Sequence, residues 1–308
     1  MAIERHPIDL ETRREEWLAL RRQDVTASDI AVVCGCHPYK SAMRLWAEKT
    51  GEIGEAEDNA AMRRGRYMEA AVLNACRGET DWLSLYQPNV YLRDPELRIG
   101  ATPDAVGTDK DGEFIVQCKV VARPIFERWE GEPPLHYQLQ TLTEAMLWGA
   151  PRAVLATYVQ SSFASDNDLA LYPIERNAGA EAKIKAAVAR FWDEIEAGEA
   201  PTADYSRDAD VIRRLFPPRD NVEPVDFSRD NYMAELLHER EGLKAAVKTA
   251  ETRLEAIDAE IIHKLNGATA GQCDDWRIKH VMAHRKAYVV PEKSYTSLRI
   301  NKLKETTP

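Results

Sequence analysis

A mixed α/β fold with a helical C-terminal extension is predicted by two changes along the chain. Hydrophobic spacing is helical up to about residue 77, strand-like from 83 to 121, and helical again from 135. Composition then shifts near residue 201, where Pro, Asp and Arg replace the apolar pattern. Helices, a strand meander, a helix and further strands describe one mixed sheet flanked by helices.

The elements follow in order. Residues 11–22 read as a helix, and a turn leads into Val25-Thr26-Ala27-Ser28-Asp29. Thr26 or Ser28 is placed to cap the apolar run Ile30-Ala31-Val32-Val33. A second helix is expected over 41–50, stopped by Gly51, and a third over 59–77, with Met62, Met68, Val72 and Leu73 at helical spacing. Leu83–Leu92, Leu97–Thr102 and Glu113–Val121 read as three strands of one sheet, separated by Asp-Pro and Asp-Lys-Asp-Gly turns. A helix over 135–148, strands over 152–159 and 169–176, and a helix over 178–197 complete a domain spanning 1–200. Residues 201–227 read as a linker or wrapping segment. The C-terminal part, 228–308, opens with an amphipathic helix over 228–266. Its stripe is Met233, Leu236, Leu237, Leu243, Val247, Leu254, Ile257, Ile261 and Leu265, interrupted at Gly242; Gly267 and Gly271 end it. A basic hairpin is expected at 276–290.

Bulk properties narrow the class. The 308 residues are 44% hydrophobic and 30% charged, an ordinary globular balance. No apolar run approaches the roughly 18 residues of a membrane span, and the charged N-terminus lacks a signal segment, so a cytoplasmic location is expected. Cys34, Cys36, Cys76, Cys118 and Cys273 form no regular framework and read as free thiols. The net charge of −10 argues against a protein that coats nucleic acid through a basic surface. It leaves room for an enzyme that confines its positive charge to one groove.

The chemistry concentrates in Gly100-Ala101-Thr102-Pro103-Asp104 and, further on, Gln117-Cys118-Lys119 inside an apolar strand. Strand alternation puts residues 117 and 119 on one face and Cys118 on the other. A lysine pointing inward from so apolar a strand needs a partner. Phosphodiester hydrolysis with a metal needs converging oxygen ligands and gains from a nearby lysine. Any Pro-Asp followed by x-x-Lys is also consistent with a plain turn and a solvent-facing lysine, so the surrounding motifs decide.

Those motifs are Arg21 through Thr26-Ala27-Ser28-Asp29, Leu45-Trp46-Ala47-Glu48-Lys49-Thr50-Gly51, Gly65-Arg66-Tyr67-Met68-Glu69, Ala101 to Asp104, Gln117 to Lys119, and His136-Tyr137-Gln138-Leu139-Gln140. In this order, over residues 21–148, the chain resembles the YqaJ-type viral recombinases, a lambda-exonuclease-like family of the PD-(D/E)xK nuclease superfamily. The resemblance implies a restriction-endonuclease-like core. It implies catalytic roles for Glu69, Asp104, Gln117, Lys119 and Gln138, with Lys119 positioning water and Gln138 beside the active site. Metal ligands would be Glu69, Asp104, Gln117 and the Cys118 backbone carbonyl, holding Mg²⁺ or Mn²⁺, two ions in all. Arg21 and Ser28 would grip the 5′ phosphate, as a guanidinium and a hydroxyl can.

The implied activity is a metal-dependent deoxyribonuclease of phage or prophage origin, degrading linear duplex DNA from the 5′ end. Its implied partners are double-stranded DNA, a single-strand annealing protein, and other copies of itself in a trimeric ring. Two rivals remain: an endonuclease on the same fold, and a DNA-binding recombination scaffold with a weakened site. The departure that keeps the second alive is Gln117, where the family has a carboxylate. A natural Q-x-K variant, a weakened binder and an engineered substitution all account for it. Glu113 lies about 13 Å along the strand and cannot substitute in place.

Overall fold

The computed structural model describes residues 2–8, 12–54, 59–161, 168–286, 292 and 296–301, and divides them between two compact units, Met1–Pro217 and Pro218–Pro308. The first unit opens with strand β1 (Glu4–Pro7), helix α1 (Arg14–Gln23) and the short β2 (Val25–Thr26). A 3₁₀ turn at Ala27–Asp29 leads to α2 (Ile30–Val33), α3 (Ala42–Lys49) and α4 (Ala60–Glu79). Next come β3 (Ser84–Tyr86), β4 (Val90–Asp94), β5 (Ile99–Ala101), β6 (Ala105–Asp109) and the long β7 (Gly112–Ala122). After α5 (Arg123–Phe126) the chain forms α6 (Leu135–Trp148), β8 (Arg152–Gln160), β9 (Leu169–Glu175), α7 (Ala178–Glu196) and α8 (Ala209–Leu215).

These strands make two sheets rather than the single meander expected. Five strands lie in the order β3-β6-β7-β8-β9, with β7 and β8 parallel and the other pairs antiparallel. Four lie in the order β1-β4-β5-β2. The run 83–92, which reads as one strand, is broken at Asn89, whose φ of 48° turns the chain from one sheet to the other. Strand β6, which no sequence pattern marked, fits because Gly107 has no side chain. A Cβ there would lie 2.5 Å from the Phe114 ring. Phe114 is wholly buried, and burial of that size contributes on the order of 2–3 kcal/mol.

Helices cover both faces of the five-stranded sheet. Val72, Leu73 and Cys76 of α4 pack on Phe114, Val116 and Cys118. Ala145 of α6 packs on Ile115, Val106 and Ala153. The alternation of β7 thus gives residues 114, 116 and 118 to α4 and residues 115, 117 and 119 to the α6 side. Leu142 of α6 joins α2, α7, β4 and β5 in the largest core. Helices α3, α4 and α7 begin at side-chain caps: Ser41, Asn59 and Asn177 accept from Arg44 N, Met62 N and Ala180 N. Residues 201–217, which read as linker, belong to the first unit; Val211 of α8 is buried with Met43, Ala47 and Ile53.

The second unit contains α9 (Asn231–Leu265), capped by Asp230, and the hairpin β10 (Ala270–Cys273) and β11 (Trp276–Lys279). The helix ends at Asn266 and Gly267, both in left-handed backbone, while Gly271 lies inside β10. The hairpin falls earlier than the expected 276–290, because Asp274 takes a φ of 47° and reverses the chain there. Residues 281–286 have no regular structure, and 287–290 lie outside the described residues. No residue of α9 is buried.

Candidate active site

The register of the sheet builds the site. Ala105 of β6 pairs with Val116 of β7, so Asp104, one residue earlier, meets Gln117 and Cys118. Asp104 Oδ2 accepts the Cys118 backbone N–H at 2.8 Å and a short hydrogen bond from Gln117 Nε2. The Gln117 amide also donates to the Cys118 carbonyl at 3.3 Å. Its Oε1 accepts from Gln140 Nε2 at 2.9 Å. Gln140 in turn accepts from Lys119 Nζ at 3.1 Å and donates to Glu144 Oε1 at 3.0 Å. Lys119, Gln140, Gln117 and Asp104 are therefore one connected chain, with Glu144 attached behind Gln140. Lys119 Nζ also lies 5.2 Å from the centroid of the Tyr137 ring.

Glu69 reaches the same place from α4. Its Oε1 accepts from Gln87 Nε2 at 2.8 Å, and with Gln87, Asn89, Thr102 and Asp104 it lines a cavity of about 70 Å³. Larger depressions of about 460 and 730 Å³ lie along α7, away from these side chains; holding an ion needs little volume.

The electrostatics are unbalanced. Burial and the neighbouring Asp104 charge push the Glu69 carboxyl up to about 7, against a hydrogen bond from Gln87 and the charge of Lys119. Burial also raises Asp104, opposed by Lys119 and the Cys118 N–H. Burial, then the Asp104 charge, raises Glu144 well above the carboxylate range. Three acids share one lysine, an arrangement that favours an added cation.

A second cluster lies at the start of the domain. The Arg21 guanidinium stacks 4.5 Å from the Trp17 ring centroid, and Trp17 Nε1 donates to Thr102 Oγ1 at 3.0 Å. This bond joins α1 to the turn that carries Asp104. Ser28 is exposed, with its hydroxyl 2.9 Å from Thr26 Oγ1; Thr26 donates to Asp29 Oδ2 at 2.7 Å. Neither hydroxyl caps α2, contrary to expectation, because both are drawn into this chain of contacts ending at Asp29. Lys40 Nζ binds Asp29 at 2.8 Å and Glu48 at 2.6 Å, and Lys49 Nζ donates to the Arg21 carbonyl at 2.7 Å. Burial would raise the Asp29 carboxyl, but Lys40, Lys49 and Arg21 hold it far below the usual range. Burial is also the main cause that lowers Lys49 to about 8, and Arg21 and Lys40 add to it. Lys40 and Lys49, given no role of their own in the sequence analysis, thus join Arg21 in one cationic cluster around Asp29, next to Ser28.

The structure brings Glu69, Asp104, Gln117, Cys118 and Lys119 together. It does not bring Gln138: that amide donates to the Pro133 carbonyl at 2.7 Å, at the start of α6. Gln140, two residues on and about 200° around the helix, takes the place expected for Gln138. Glu144 was also missed. A lone acid among Leu139, Leu142, Ala145, Met146 and Leu147 was the available signal.

Residues 16–150 match the model of the YqaJ-like viral recombinase domain. All the site residues, from Arg21 to Glu144, lie inside this segment. Over 268 residues, 85% of this chain and 81% of the relative, the protein is 24% identical to the uncharacterized protein YqaJ of Bacillus subtilis (strain 168). It is also similar to the solved LHK-Exo in complex with dAMP: 25% identity, 60% of this chain, 93% of that one, TM-score 0.49. The alkaline exonuclease LHK-Exo from Laribacter hongkongensis gives 26% identity over 60% and 93% of the two chains, TM-score 0.46. The matched segment ends just after α6, so β8, β9 and α7 complete the sheet and core from outside it.

Proposed function

We propose that the chain is a metal-dependent deoxyribonuclease, acting 5′ to 3′ as an exonuclease on linear duplex DNA in phage-type recombination. The observation that carries this reading is Glu69 beside Asp104 in one small cavity, where the Asp104 charge raises the proton affinity of Glu69, next to Lys119 in a segment that matches the YqaJ-like viral recombinase model. Two carboxylates and the Cys118 carbonyl are hard oxygen donors and fit Mg²⁺ or Mn²⁺ better than a softer metal. Among the described residues no three His, Cys, Asp or Glu side chains form a complete ligand set; in this reading the third ligand is the amide of Gln117.

One or two bound ions would supply charge for the phosphoryl oxygens and a more acidic water. The chain's own groups do the rest. Lys119, held by Gln140, orients the attacking water and stabilises the negative charge on the phosphoryl oxygens. The cluster of Arg21, Ser28, Lys40 and Lys49 receives the 5′ phosphate of the DNA end, since guanidinium, ammonium and hydroxyl donors suit a phosphate. An annealing protein that takes the product strand, and a ring of three copies around the DNA, fit the same reading.

Gln117 favours a second reading, a DNA-binding recombination scaffold with a weakened site. Linear duplex labelled at the 5′ or 3′ end separates the two. Mg²⁺-dependent release of nucleotides from 5′-phosphorylated ends supports the exonuclease, and retained DNA binding without release supports the scaffold. Cutting of closed circular duplex would mark an endonuclease.

A further inference from the structure

We propose that Glu144 supplies the third carboxyl group that position 117 lacks, giving up its proton to solvent when a divalent cation binds and supporting that cation from behind through the Gln140–Gln117 amide chain. The inference rests on the metal-dependent reading above and deepens it: a helix carboxylate stands in for a strand carboxylate.

Glu144 is 1% exposed, on the face of α6 that covers Gln117 and Lys119. Gln140 and Glu144 stand four residues apart, one above the other on that face. Oε1 of Glu144 accepts from Gln140, but Oε2 is buried with no hydrogen-bond partner among the described residues. Protonation does not relieve this, because Oε2–H is then a donor with nothing to accept it. An aliphatic side chain of similar size would fill the space without that penalty. As a purely structural residue Glu144 is therefore a poor choice.

The direction of its influence is set by what surrounds it. Asp104 and Glu69 repel it, Lys119 attracts it, and Gln140 joins it to Gln117 and so to Asp104. Asp104, Glu69 and Glu144 together provide the three carboxyl groups that two acids plus a strand carboxylate would provide elsewhere. Thr157 Oγ1 is likewise buried without a partner, and its register opposite Lys119 places it on the same α6-facing side of the sheet. Two unpartnered oxygens in this one layer mark it as built for something besides packing. Glu144 acts through Gln140 and is a positioning residue.

The test is Mn²⁺ binding by calorimetry on the full chain without DNA, alongside the melting midpoint in EDTA. Glu144→Gln preserves an acceptor for Gln140 and is expected to keep the metal-free midpoint. It should weaken Mn²⁺ binding by about 10-fold or more, the usual size of an outer-shell effect. Gln117→Glu combined with Glu144→Gln should restore binding to within about 3-fold of the unaltered chain, since the carboxyl count is regained. Unchanged affinity in Glu144→Gln overturns the proposal and leaves the metal-dependent reading standing. Failure of the double variant to bind Mn²⁺ overturns it as well, and this arm decides if the single variant does not fold. No Mn²⁺ binding by the unaltered chain overturns the metal-dependent reading and the proposal together.

Discussion

The carboxylate of Asp104 is fixed by the backbone of Cys118, whose N–H lies 2.8 Å from Oδ2. An acid on a turn is thereby tied to the strand that carries Gln117 and Lys119. Because β6 and β7 pair in register from Ala105 to Asp109, a shift of one residue would face Asp104 with the wrong side of β7.

Gly107 guards that register. Gly107→Ala brings a Cβ within 2.5 Å of the Phe114 ring, which is boxed in by Trp82 and the α4 core. Overpacking of this kind should cost about 1–3 kcal/mol, read as a lower urea midpoint. An unchanged midpoint would show that β6 does not pack on Phe114 in this way.

The pH dependence of Glu69 should have opposite signs with and without metal. Its carboxyl is pushed from an ordinary 4.5 up to about 7 in the fold, so the protonated form is favoured there. In EDTA the stabilisation is full below pH 4.5 and is lost as pH rises to about 7. The melting midpoint should therefore fall across that window, and Glu69→Gln should flatten the fall. Mn²⁺ needs the carboxylate, so its affinity should rise over the same range. A midpoint in EDTA that climbs from pH 5 to about 7 with the Glu69 side chain present would contradict this.

Gln138 and Gln140 should behave differently. Gln138→Ala loses a bond to the Pro133 carbonyl and should cost about 1 kcal/mol of stability with activity retained. Gln140→Ala frees Lys119 and Gln117 together and should lower kcat by about 100-fold or more with DNA affinity kept. The reverse pattern would restore the role expected for Gln138.

This contrast shows what was legible in the sequence. Strand alternation alone placed Gln117 and Lys119 on one face with Cys118 opposite, and motif order placed Glu69 and Asp104 with them. Choosing between Gln138 and Gln140 needs the rotation of α6 about its axis, which depends on how Leu142 and Ala145 pack and not on local spacing. Lys40 and Lys49 had no role assigned because the burial of their partner Asp29 shows only in the folded chain. The break at Asn89 was hidden because residues on both sides of it have strand character, and only its left-handed φ splits them.

The cationic cluster should govern recognition of DNA ends. Arg21→Ala is expected to reduce the preference for 5′-phosphorylated over 5′-hydroxyl duplex by about 10-fold or more, with Lys49→Met acting in the same direction. The measurement is the ratio of kcat/KM for the two substrates. If the ratio does not move, the cluster serves only to fold α1 against α3.

The most direct test of the site is nucleotide release from end-labelled linear duplex with Mg²⁺, comparing the unaltered chain with Asp104→Ala. The account predicts Mg²⁺-dependent release from the 5′ end by the unaltered chain, and at least about a 1,000-fold loss in Asp104→Ala with the fold intact. Release that persists in Asp104→Ala, or no release by the unaltered chain while it still binds DNA, would contradict it.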